Sequence, residues 1–345
     1  MNLTLKGGNF MKIGVVGAGS WGTALAYLLN KNGHNVTIWG FDKNEVIDLN
    51  NDRENKRFLP GVKLPESLKA TSNDEDMLDK EMIVLAVPSK AVRQICERFK
   101  NIFNDGRIIV NVAKGLEEGT LLRLSQVIQE VIPNSKVAVL SGPSHAEEVG
   151  KDMATACVAS AYDLDIAKKV QDVFMSITFR VYTNMDIIGV ELGGALKNLI
   201  ALAAGASDGC GFGDNTKAAL MTRGMTEIAR LGLAMGAKKE TFSGLTGIGD
   251  LIVTCTSMHS RNRRAGILLG QGKTLKETLD EIKMVVEGVN TAKAAYALSI
   301  KYNVDMPITK EINEVLYNNK NTKDAVITLM TRNKTDEQEE PNLLI

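Results

Sequence analysis

The sequence has little cysteine, no net charge and no long hydrophobic run. Its four cysteines, Cys96, Cys157, Cys210 and Cys255, are widely separated and form no CxxC pair, which argues against a zinc site and against a disulfide framework. A reducing compartment is the simpler interpretation, so we expect a cytoplasmic protein. Basic and acidic side chains number 41 each. This balance argues against a partner such as nucleic acid or an anionic membrane, while a local basic pocket stays open.

The sequence also lacks a segment typical of membrane insertion or secretion. No apolar run approaches the roughly 18 to 20 residues that a membrane span requires, and residues 1–10 lack the apolar stretch of a signal peptide. We therefore expect no membrane insertion, and we expect residues 1–10 and 334–345 to be flexible ends. His34, His145 and His259 show no ligand spacing in the sequence, so no metal site is predicted.

The pattern of apolar residues changes near residue 187. A chain of 345 residues is also long for one hydrophobic core, so two domains are expected. Before this point, short apolar segments alternate with helical patterns, as in a parallel sheet that is covered on both faces. The predicted strands are 12–16, 35–39, 82–87, 107–112, 136–140, 154–160 and 179–182. After it, the segments have helical periodicity. We therefore predict α/β plus all-α architecture, with a doubly wound sheet domain over 11–187 and a helical domain over 188–333.

A glycine-rich turn follows the first predicted strand and opens the first helix. Gly17, Gly19 and Gly22 form a GxGxxG pattern. The first glycine permits a tight turn, the second lets a pyrophosphate approach the backbone, and the third lets the helix pack closely on the strand. The helix N-terminus would offer N–H groups to the phosphates. A strand–helix turn without a ligand is the alternative, but the position of the motif favours a Rossmann-type dinucleotide-binding domain, with these glycines contacting the dinucleotide.

An acidic residue follows the second strand. Asp42 comes shortly after Trp39, where a carboxylate can accept hydrogen bonds from both ribose hydroxyls of NAD and would repel the 2′-phosphate of NADP. The alternative is a solvated loop aspartate, and Lys43 beside it could neutralise a phosphate. The sequence predicts NAD as the coenzyme, with NADP as the alternative.

In the helical half, one lysine lies on an almost bare helix face. The neighbours of Lys197 one and two helical turns away are Gly193, Gly194, Ala201 and Ala204, so another backbone or a cofactor can come close. A lysine in such a groove would be partly desolvated, which lowers its pKa and makes it a usable proton donor at neutral pH. The alternative is a lysine whose ammonium group reaches solvent from an otherwise buried helix.

Two further segments of the helical half offer charged side chains. Asp250 ends a glycine-rich segment, where it would pair with a lysine or a substrate hydroxyl, or else cap a helix. Residues 261–264 contain three arginines. They would bind a phosphate through bidentate, charge-assisted bonds, or form a solvated basic start of a helix.

The sheet half contributes residues that follow its strands. Lys114 and residues 142–146 each come after a predicted strand, at the edge where open α/β sheets bind ligands. His145 in the second segment is a candidate general base. We rank it below Lys197, because Lys197 belongs to the domain that should close over a nicotinamide.

Together these segments resemble bacterial-type NAD(P)-dependent glycerol-3-phosphate dehydrogenases, from about Lys12 to Arg332. The resemblance rests on GAGSWGTAL at 17–25, LSGPSHAEE at 140–148, GVELGGALKN at 189–198, GLTGIGD at 244–250 and TCTSMHSRN at 254–262. It implies reduction of dihydroxyacetone phosphate to sn-glycerol 3-phosphate for phospholipid synthesis, and a homodimer. In one departure, relatives often have a basic residue after the second strand, where this chain has Trp39-Gly-Phe-Asp42, which argues against NADP.

The resemblance also implies roles for individual residues. Lys197 would be the catalytic acid and base. The implied substrate-binding residues are Lys114, Gly142, Ser144, Asp250, Ser260, Arg261 and Asn262. The residues implied to line the coenzyme are Ser20, Trp21, Lys114, Ala146, Arg261, Val285 and Glu287.

Two other functions stay open at this point. A related β-hydroxyacid dehydrogenase would bind a carboxylate in place of a phosphate, although the arginines of 261–264 and the GLTGIGD string favour phosphate. A non-catalytic protein that senses NAD(H) would keep the glycine motif but would not need Lys197 on a bare helix face.

Overall fold

The computed structural model of the chain describes residues 10–337. Its strands are β1 (Lys12–Val16), β2 (Asn35–Trp39), β3 (Glu54–Asn55), β4 (Leu59–Lys63), β5 (Lys69–Thr71), β6 (Met82–Leu85), β7 (Ile108–Asn111), β8 (Lys136–Ser141), β9 (Thr155–Ala161) and β10 (Phe179–Asn184). The expected flexible ends, 1–10 and 334–345, fall for the most part outside the described residues.

The helices alternate with the strands in the first half and follow one another in the second. They are α1 (Ser20–Lys31), α2 (Lys43–Asp52), α3 (Val92–Phe103), α4 (Leu124–Val131), α5 (Ala146–Val149), α6 (Leu164–Phe174), α7 (Ile187–Gly209), α8 (Asp214–Ala234), α9 (Lys239–Phe242), α10 (Asp250–Thr256), α11 (Arg261–Gly270), α12 (Leu275–Ile282), α13 (Glu287–Lys301), α14 (Pro307–Tyr317) and α15 (Thr322–Met330).

Eight strands form one sheet in the order β10-β9-β8-β7-β6-β1-β2-β5. Successive side chains of a strand point to opposite faces: Val15 packs in the hydrophobic cluster that contains α1 and α6, and Val16 in the cluster that contains α3 and α4. Burial on both faces explains why these strands are apolar throughout. The predicted doubly wound, Rossmann-type sheet is confirmed, and its strand order reverses at β1, between β2 and β6.

One pairing in the sheet differs from the expected parallel arrangement. Strand β9 pairs antiparallel with β8, and β10 pairs parallel with β9. A parallel return requires a crossover, usually with a full helix, whereas the connection from Gly142 to Ala154 contains only the single turn α5. The apolar composition of β9 predicts a buried strand but not its direction.

The helical half is built around α7, the core helix against which α8, α10, α11 and α13 pack. Helices α7 and α11 touch backbone to backbone: a Cβ atom on Gly205 would clash with the carbonyl oxygen of Arg263, and one on Gly266 with that of Leu202. This close packing sets the start of α11 beside the middle of α7, where Lys197 lies.

Helix α7 is also the one helix within residues 10–337 that is long and apolar enough to cross a membrane by length and composition. Its mean hydropathy is 1.6, and 89% of its apolar window is buried inside the protein. The core helix of a soluble protein passes the same test, so this feature is weak evidence for a membrane span.

A buried ion pair joins the sheet half to α7. The Glu191 carboxylate accepts hydrogen bonds from the backbone N–H of Ser125 (2.8 Å) and from its hydroxyl (2.5 Å), and it pairs with Arg123. Strand β10 ends at Asn184 and α7 begins at Ile187. The domain division 11–187 and 188–333 stays a prediction.

Candidate active site

A cavity of about 1080 Å³ lies between the carboxyl ends of the strands and the helical half. We call it the cleft. Most of the residues that the sequence analysis selected line it: Gly17, Gly19, Ser20, Trp21, Lys114, Ser144, Ala146, Lys197, Ser260, Arg261, Asn262, Val285 and Glu287. Four selected residues, Gly22, Asp42, Gly142 and Asp250, lie outside this lining. The fold therefore brings together segments from both halves of the chain at one site.

The glycine turn has the geometry that a pyrophosphate requires. Gly17 has a φ of 121°, and a Cβ atom on Gly22 would clash with the carbonyl oxygen of Gly17, so a larger residue fits neither position. A Cβ atom on Gly19 would meet nothing within 4 Å, which leaves the backbone there open to the cleft. No side chain caps the N-terminus of α1, and the indole N–H of Trp21 is buried without a partner among the described residues. The uncapped N–H groups at the start of α1 fit an anionic dinucleotide.

Lys197 is buried at the inner end of the cleft, with only 7% of its side chain exposed. Its Nζ atom donates hydrogen bonds to the carboxylate of Asp250 and to the hydroxyl of Thr254 (2.6 Å). The alternative in which this ammonium reaches solvent does not apply. The bare helix face around it is occupied by the protein itself: Thr246 packs over Gly193, and Ser141 over Gly194.

Asp250 lies between two lysines and is 1% exposed. Its second carboxylate oxygen accepts a hydrogen bond from Lys114 (2.7 Å), which also donates to the carbonyl of Gly142 (2.8 Å). A single π-helical turn, Leu245–Gly249, leads into α10 and places Asp250 at its first position. Of the two alternatives from the sequence, the structure has Asp250 pairing with lysine rather than capping a helix. We call Lys114, Asp250 and Lys197 the lysine–aspartate triad.

Burial and neighbouring charges shift the pKa values of Lys197 and Asp250. Desolvation is the largest effect on Lys197; together with the charge of Lys114, and against the opposing Asp250 carboxylate, it lowers the pKa of Lys197 to about 8. For Asp250, burial alone would raise the pKa, but the two ammonium groups outweigh it, and the pKa of this carboxyl lies below its usual value. An ammonium group has three N–H donors. Asp250 and Thr254 take two from Lys197, which leaves one for a substrate oxygen.

Helix α11 brings fewer arginines to the cleft than the sequence suggests. Arg261 and Arg264 line it, whereas Arg263 pairs with Asp208 (2.8 Å). Burial lowers the pKa of Arg261, and the carboxylate of Glu287 is the main group that opposes this shift. The hydroxyl of Ser260 accepts a hydrogen bond from the backbone N–H of Arg263 and so caps α11.

Asn262 connects three helices. Its amide nitrogen donates to the side-chain oxygen of Asn198 (2.9 Å) on α7, and its amide oxygen accepts from the backbone N–H of Gly288 (2.8 Å) on α13. One amide N–H remains for a ligand. Asn198 and Gly288 were not selected from the sequence, because only the packing of the helices brings them to Asn262.

The structure places two histidines together that are far apart in the sequence. The rings of His145 and His259 are 5.8 Å apart across the cleft. Burial lowers the pKa of His145, and the charges of Lys197 and Lys114 add to the shift, so its imidazole is neutral at pH 7. Within residues 10–337, no group of three His, Cys, Asp or Glu side chains is placed to hold a metal ion.

Glu287 links the two halves at the outer side of the cleft. Its carboxylate accepts hydrogen bonds from the backbone N–H (3.1 Å) and the hydroxyl (2.5 Å) of Ser89, which follows β6. Ser89 was also missed by the sequence analysis. A serine after a strand has many roles, and nothing local indicates a partner on α13.

Asp42 is not among the residues that line the cleft. Its carboxylate accepts hydrogen bonds from the backbone N–H groups of Asn44 (2.8 Å) and Glu45 (3.5 Å), and so it caps α2. The far end of the cleft is lined instead by Phe41, Glu45, Arg57, Phe58 and Arg98. A ribose contact for Asp42 stays a prediction.

Comparisons with known proteins agree with this geometry. Residues 12–167 match the family described as the NAD-dependent glycerol-3-phosphate dehydrogenase N-terminus, and residues 186–327 match its C-terminus. The chain is 58% identical over 327 residues to glycerol-3-phosphate dehydrogenase [NAD(P)+] of Fusobacterium nucleatum, covering 94% of this chain and 98% of the relative. It is 56% identical to the protein of the same name from a Thermoanaerobacter species, covering 95% and 99%.

Solved structures give the same result. A crystal structure of glycerol-3-phosphate dehydrogenase from Coxiella burnetii superposes with a TM-score of 0.91 at 37% identity, over 94% of this chain and 99% of that one. A ketopantoate reductase from Ralstonia eutropha has a TM-score of 0.60 at 12% identity, over 93% and 100%, which shows a shared fold alone. From both the sequence matches and the structural match, this chain belongs to the NAD-dependent glycerol-3-phosphate dehydrogenase family.

Proposed function

We propose that this chain reduces dihydroxyacetone phosphate to sn-glycerol 3-phosphate, reversibly, with a nicotinamide dinucleotide as coenzyme. The proposal rests on one observation. The lysine–aspartate triad lies at the inner end of the cleft, and the glycine turn forms the other wall. The glycine turn fits the coenzyme, and the triad supplies an acid of suitable pKa. A protein that only senses NAD(H) would have no use for the triad.

The chemistry divides between coenzyme and protein. Bound NADH or NADPH supplies the hydride that the carbonyl carbon accepts. Lys197 donates its third N–H to the carbonyl oxygen and transfers that proton as the oxygen becomes an alcohol, which balances the reduction. Asp250 and Thr254 hold the other two N–H groups and so fix the direction of the third. General acid catalysis of this kind contributes about 10²- to 10⁴-fold.

The remaining residues would position the two ligands. Arg261 is the main candidate for the phosphate, with Asn262 and the capped start of α11 beside it. We propose these further substrate contacts: Lys114, Gly142, Ser144, Asp250 and Ser260. For the coenzyme we propose Gly17, Gly19, Ser20, Trp21, Gly22, Lys114, Ala146, Arg261, Val285 and Glu287.

The cellular setting is also part of the proposal. The product is the backbone of glycerophospholipids, so the chain would supply phospholipid synthesis. The scattered free cysteines support a reducing, cytoplasmic location. A homodimer is proposed from the family resemblance alone.

The test is a spectrophotometric assay of the purified chain, in which NADH and NADPH oxidation are followed separately. We expect fast oxidation with dihydroxyacetone phosphate and little with unphosphorylated dihydroxyacetone. Turnover of keto acids with none of dihydroxyacetone phosphate would indicate a β-hydroxyacid dehydrogenase instead. Coenzyme binding without turnover of any carbonyl compound would indicate a sensor.

The proposed acid predicts opposite pH dependences for the two directions. Reduction requires protonated Lys197, so its kcat/KM should fall as the pH rises through about 8, the pKa of Lys197 in the free protein. Oxidation of glycerol 3-phosphate requires the neutral amine, so its kcat/KM should rise through the same pH. Initial rates in both directions from pH 6 to 10, a range of about four units centred on that pKa, would check this. Profiles that change in the same direction would contradict it.

A further inference from the structure

The far end of the cleft contains an acidic and a basic side chain that face each other. Glu45 lies in the first turn of α2, and Arg57 lies in the turn between β3 and β4. The two side chains form an ion pair, in which the Arg57 side chain is 69% exposed and that of Glu45 is 29% exposed. Both line the cleft. We call them the Glu45–Arg57 pair.

The position of this pair relative to the glycine turn indicates which part of the coenzyme it meets. In a doubly wound sheet the pyrophosphate lies at the turn after β1, and the adenosine ribose lies near the end of β2. Strand β2 ends at Trp39, and Phe41, which follows it, is 76% exposed at the same end of the cleft. The Glu45–Arg57 pair therefore lies at the end of the cleft that would receive that ribose.

Two other charged groups at this end have partners of their own. Asp42 caps α2 through its Oδ1 atom. Arg98 donates from Nε to Asp74 (2.7 Å), and its guanidinium lies over the ring of Trp39 at 4.9 Å. By contrast, Arg57 is held by one ion pair and by a contact of its guanidinium with the ring of Phe58 at 4.8 Å. An ion pair with so exposed an arginine contributes only about 0–1 kcal/mol. Arg57 can thus exchange Glu45 for a stronger acceptor at little cost.

A 2′-phosphate is such an acceptor. A doubly charged phosphate accepts bidentate hydrogen bonds from a guanidinium, and these are among the stronger ones in proteins. The same phosphate would be repelled by Glu45, whereas the 2′-hydroxyl of NAD(H) would donate a hydrogen bond to Glu45. We propose that the Glu45–Arg57 pair, rather than Asp42, sets the preference between NAD(H) and NADP(H). This inference rests on the proposed function for its ligand but concerns a different end of the cleft.

Two substitutions test the pair from opposite sides. Arg57→Gln should weaken binding of NADPH by about ten- to a hundredfold, the range for loss of a charged hydrogen bond, and leave the Kd of NADH within about threefold. Glu45→Gln should tighten NADPH binding by roughly three- to tenfold, because it removes a like charge, and weaken NADH slightly. Both Kd values are measured by coenzyme fluorescence without substrate. The ratio of kcat/KM with NADPH to kcat/KM with NADH is then measured with dihydroxyacetone phosphate.

Two further variants serve as controls. Lys56→Gln removes the same charge one position away from Arg57, from an exposed lysine that pairs with Asp52 outside the cleft lining, so the NADPH/NADH ratio should stay constant. Asp42→Asn tests the competing assignment. Asparagine caps a helix as well as aspartate does, and the Glu45–Arg57 pair predicts an unchanged ratio for this variant.

The outcomes separate the inference from the proposed function. An NADPH/NADH ratio that changes in Asp42→Asn but not in Arg57→Gln or Glu45→Gln would overturn the inference. Equal changes of the two Kd values in Arg57→Gln and Glu45→Gln would also overturn it. If dihydroxyacetone phosphate is reduced normally in that case, the proposed function stands. If neither coenzyme binds, both fail. If the Kd values shift as expected but no carbonyl compound is reduced, only the proposed function fails.

Discussion

Replacing Lys197 by alanine should lower kcat for reduction of dihydroxyacetone phosphate by about 10²- to 10⁴-fold, the usual contribution of a general acid. The reason is that Asp250 and Thr254 hold the Lys197 ammonium group in place and leave one of its N–H groups for the substrate oxygen. The Kd of NADH should change little, because the glycine turn lies at a different part of the cleft. Steady-state rates and a fluorescence titration of NADH would check both statements.

The matched control is Lys276→Ala, which removes a lysine from an exposed position on α12. This variant should keep the wild-type kcat. Near-normal turnover of Lys197→Ala, with an unchanged pH profile, would show that another group donates the proton. Lys114 would then be the next candidate, since it lines the same cleft and donates only two of its three N–H groups to the protein.

Asp250→Asn should have the second large effect, on both stability and catalysis. Asparagine leaves the ammonium groups of Lys114 and of the buried Lys197 without their shared carboxylate, and breaking a buried ion pair in this way costs about 3–5 kcal/mol. Without the carboxylate the pKa of Lys197 should fall further, because Asp250 is the group that opposes desolvation. The inflection in the kcat/KM profile should therefore move to lower pH, and kcat should fall by about 10²-fold or more.

Asp208→Asn provides a matched control for this substitution. Asp208 also lies between two cations, Lys217 (2.9 Å) and Arg263 (2.8 Å), but it is outside the cleft lining. Its loss should lower the free energy of unfolding without moving the pH inflection. Urea unfolding and pH profiles of both variants separate the two effects. An Asp250→Asn protein with the wild-type inflection would contradict the role given to the triad.

Local sequence patterns were sufficient for the strands and for the glycine turn. A strand buried on both faces must be apolar throughout, and β1 and β2 coincide with their predicted bounds of 12–16 and 35–39. The functions of Gly17 and Gly22 follow from steric demands that act within a few residues. Helix α1 begins at Ser20, inside the glycine motif. Its first turn forms without the apolar periodicity that marks the later turns.

Such patterns do not predict contacts between residues that are far apart in the sequence. The bare face of α7 indicates that something packs closely around Lys197, but not that Thr246 does so. An aspartate after a strand can bind a ribose or cap the next helix, and only the geometry of α2 shows that Asp42 caps it. Arg57 lies in the turn of the β3–β4 hairpin, which was not predicted.

The chemistry of Lys197 shows the same division. Its helix pattern allowed either a desolvated acid or an ammonium group in solvent, and the family resemblance favoured the first. The structure adds the partner that holds this ammonium group inside the protein, which is the buried carboxylate of Asp250 at the end of a π-helical turn. Such a turn has no reliable sequence signature, although the glycines of 244–249 permit it.

For the proposed reaction, both halves of the chain must meet over one carbonyl carbon, with Lys197 as the acid. A crystal structure of the chain with NAD⁺ and sn-glycerol 3-phosphate would measure this directly. We expect the Nζ atom of Lys197 to lie about 2.6–3.2 Å from the C2 oxygen, the range for proton transfer along a hydrogen bond. A C2 oxygen bound by a different side chain, with Lys197 still enclosed by Asp250 and Thr254, would contradict it.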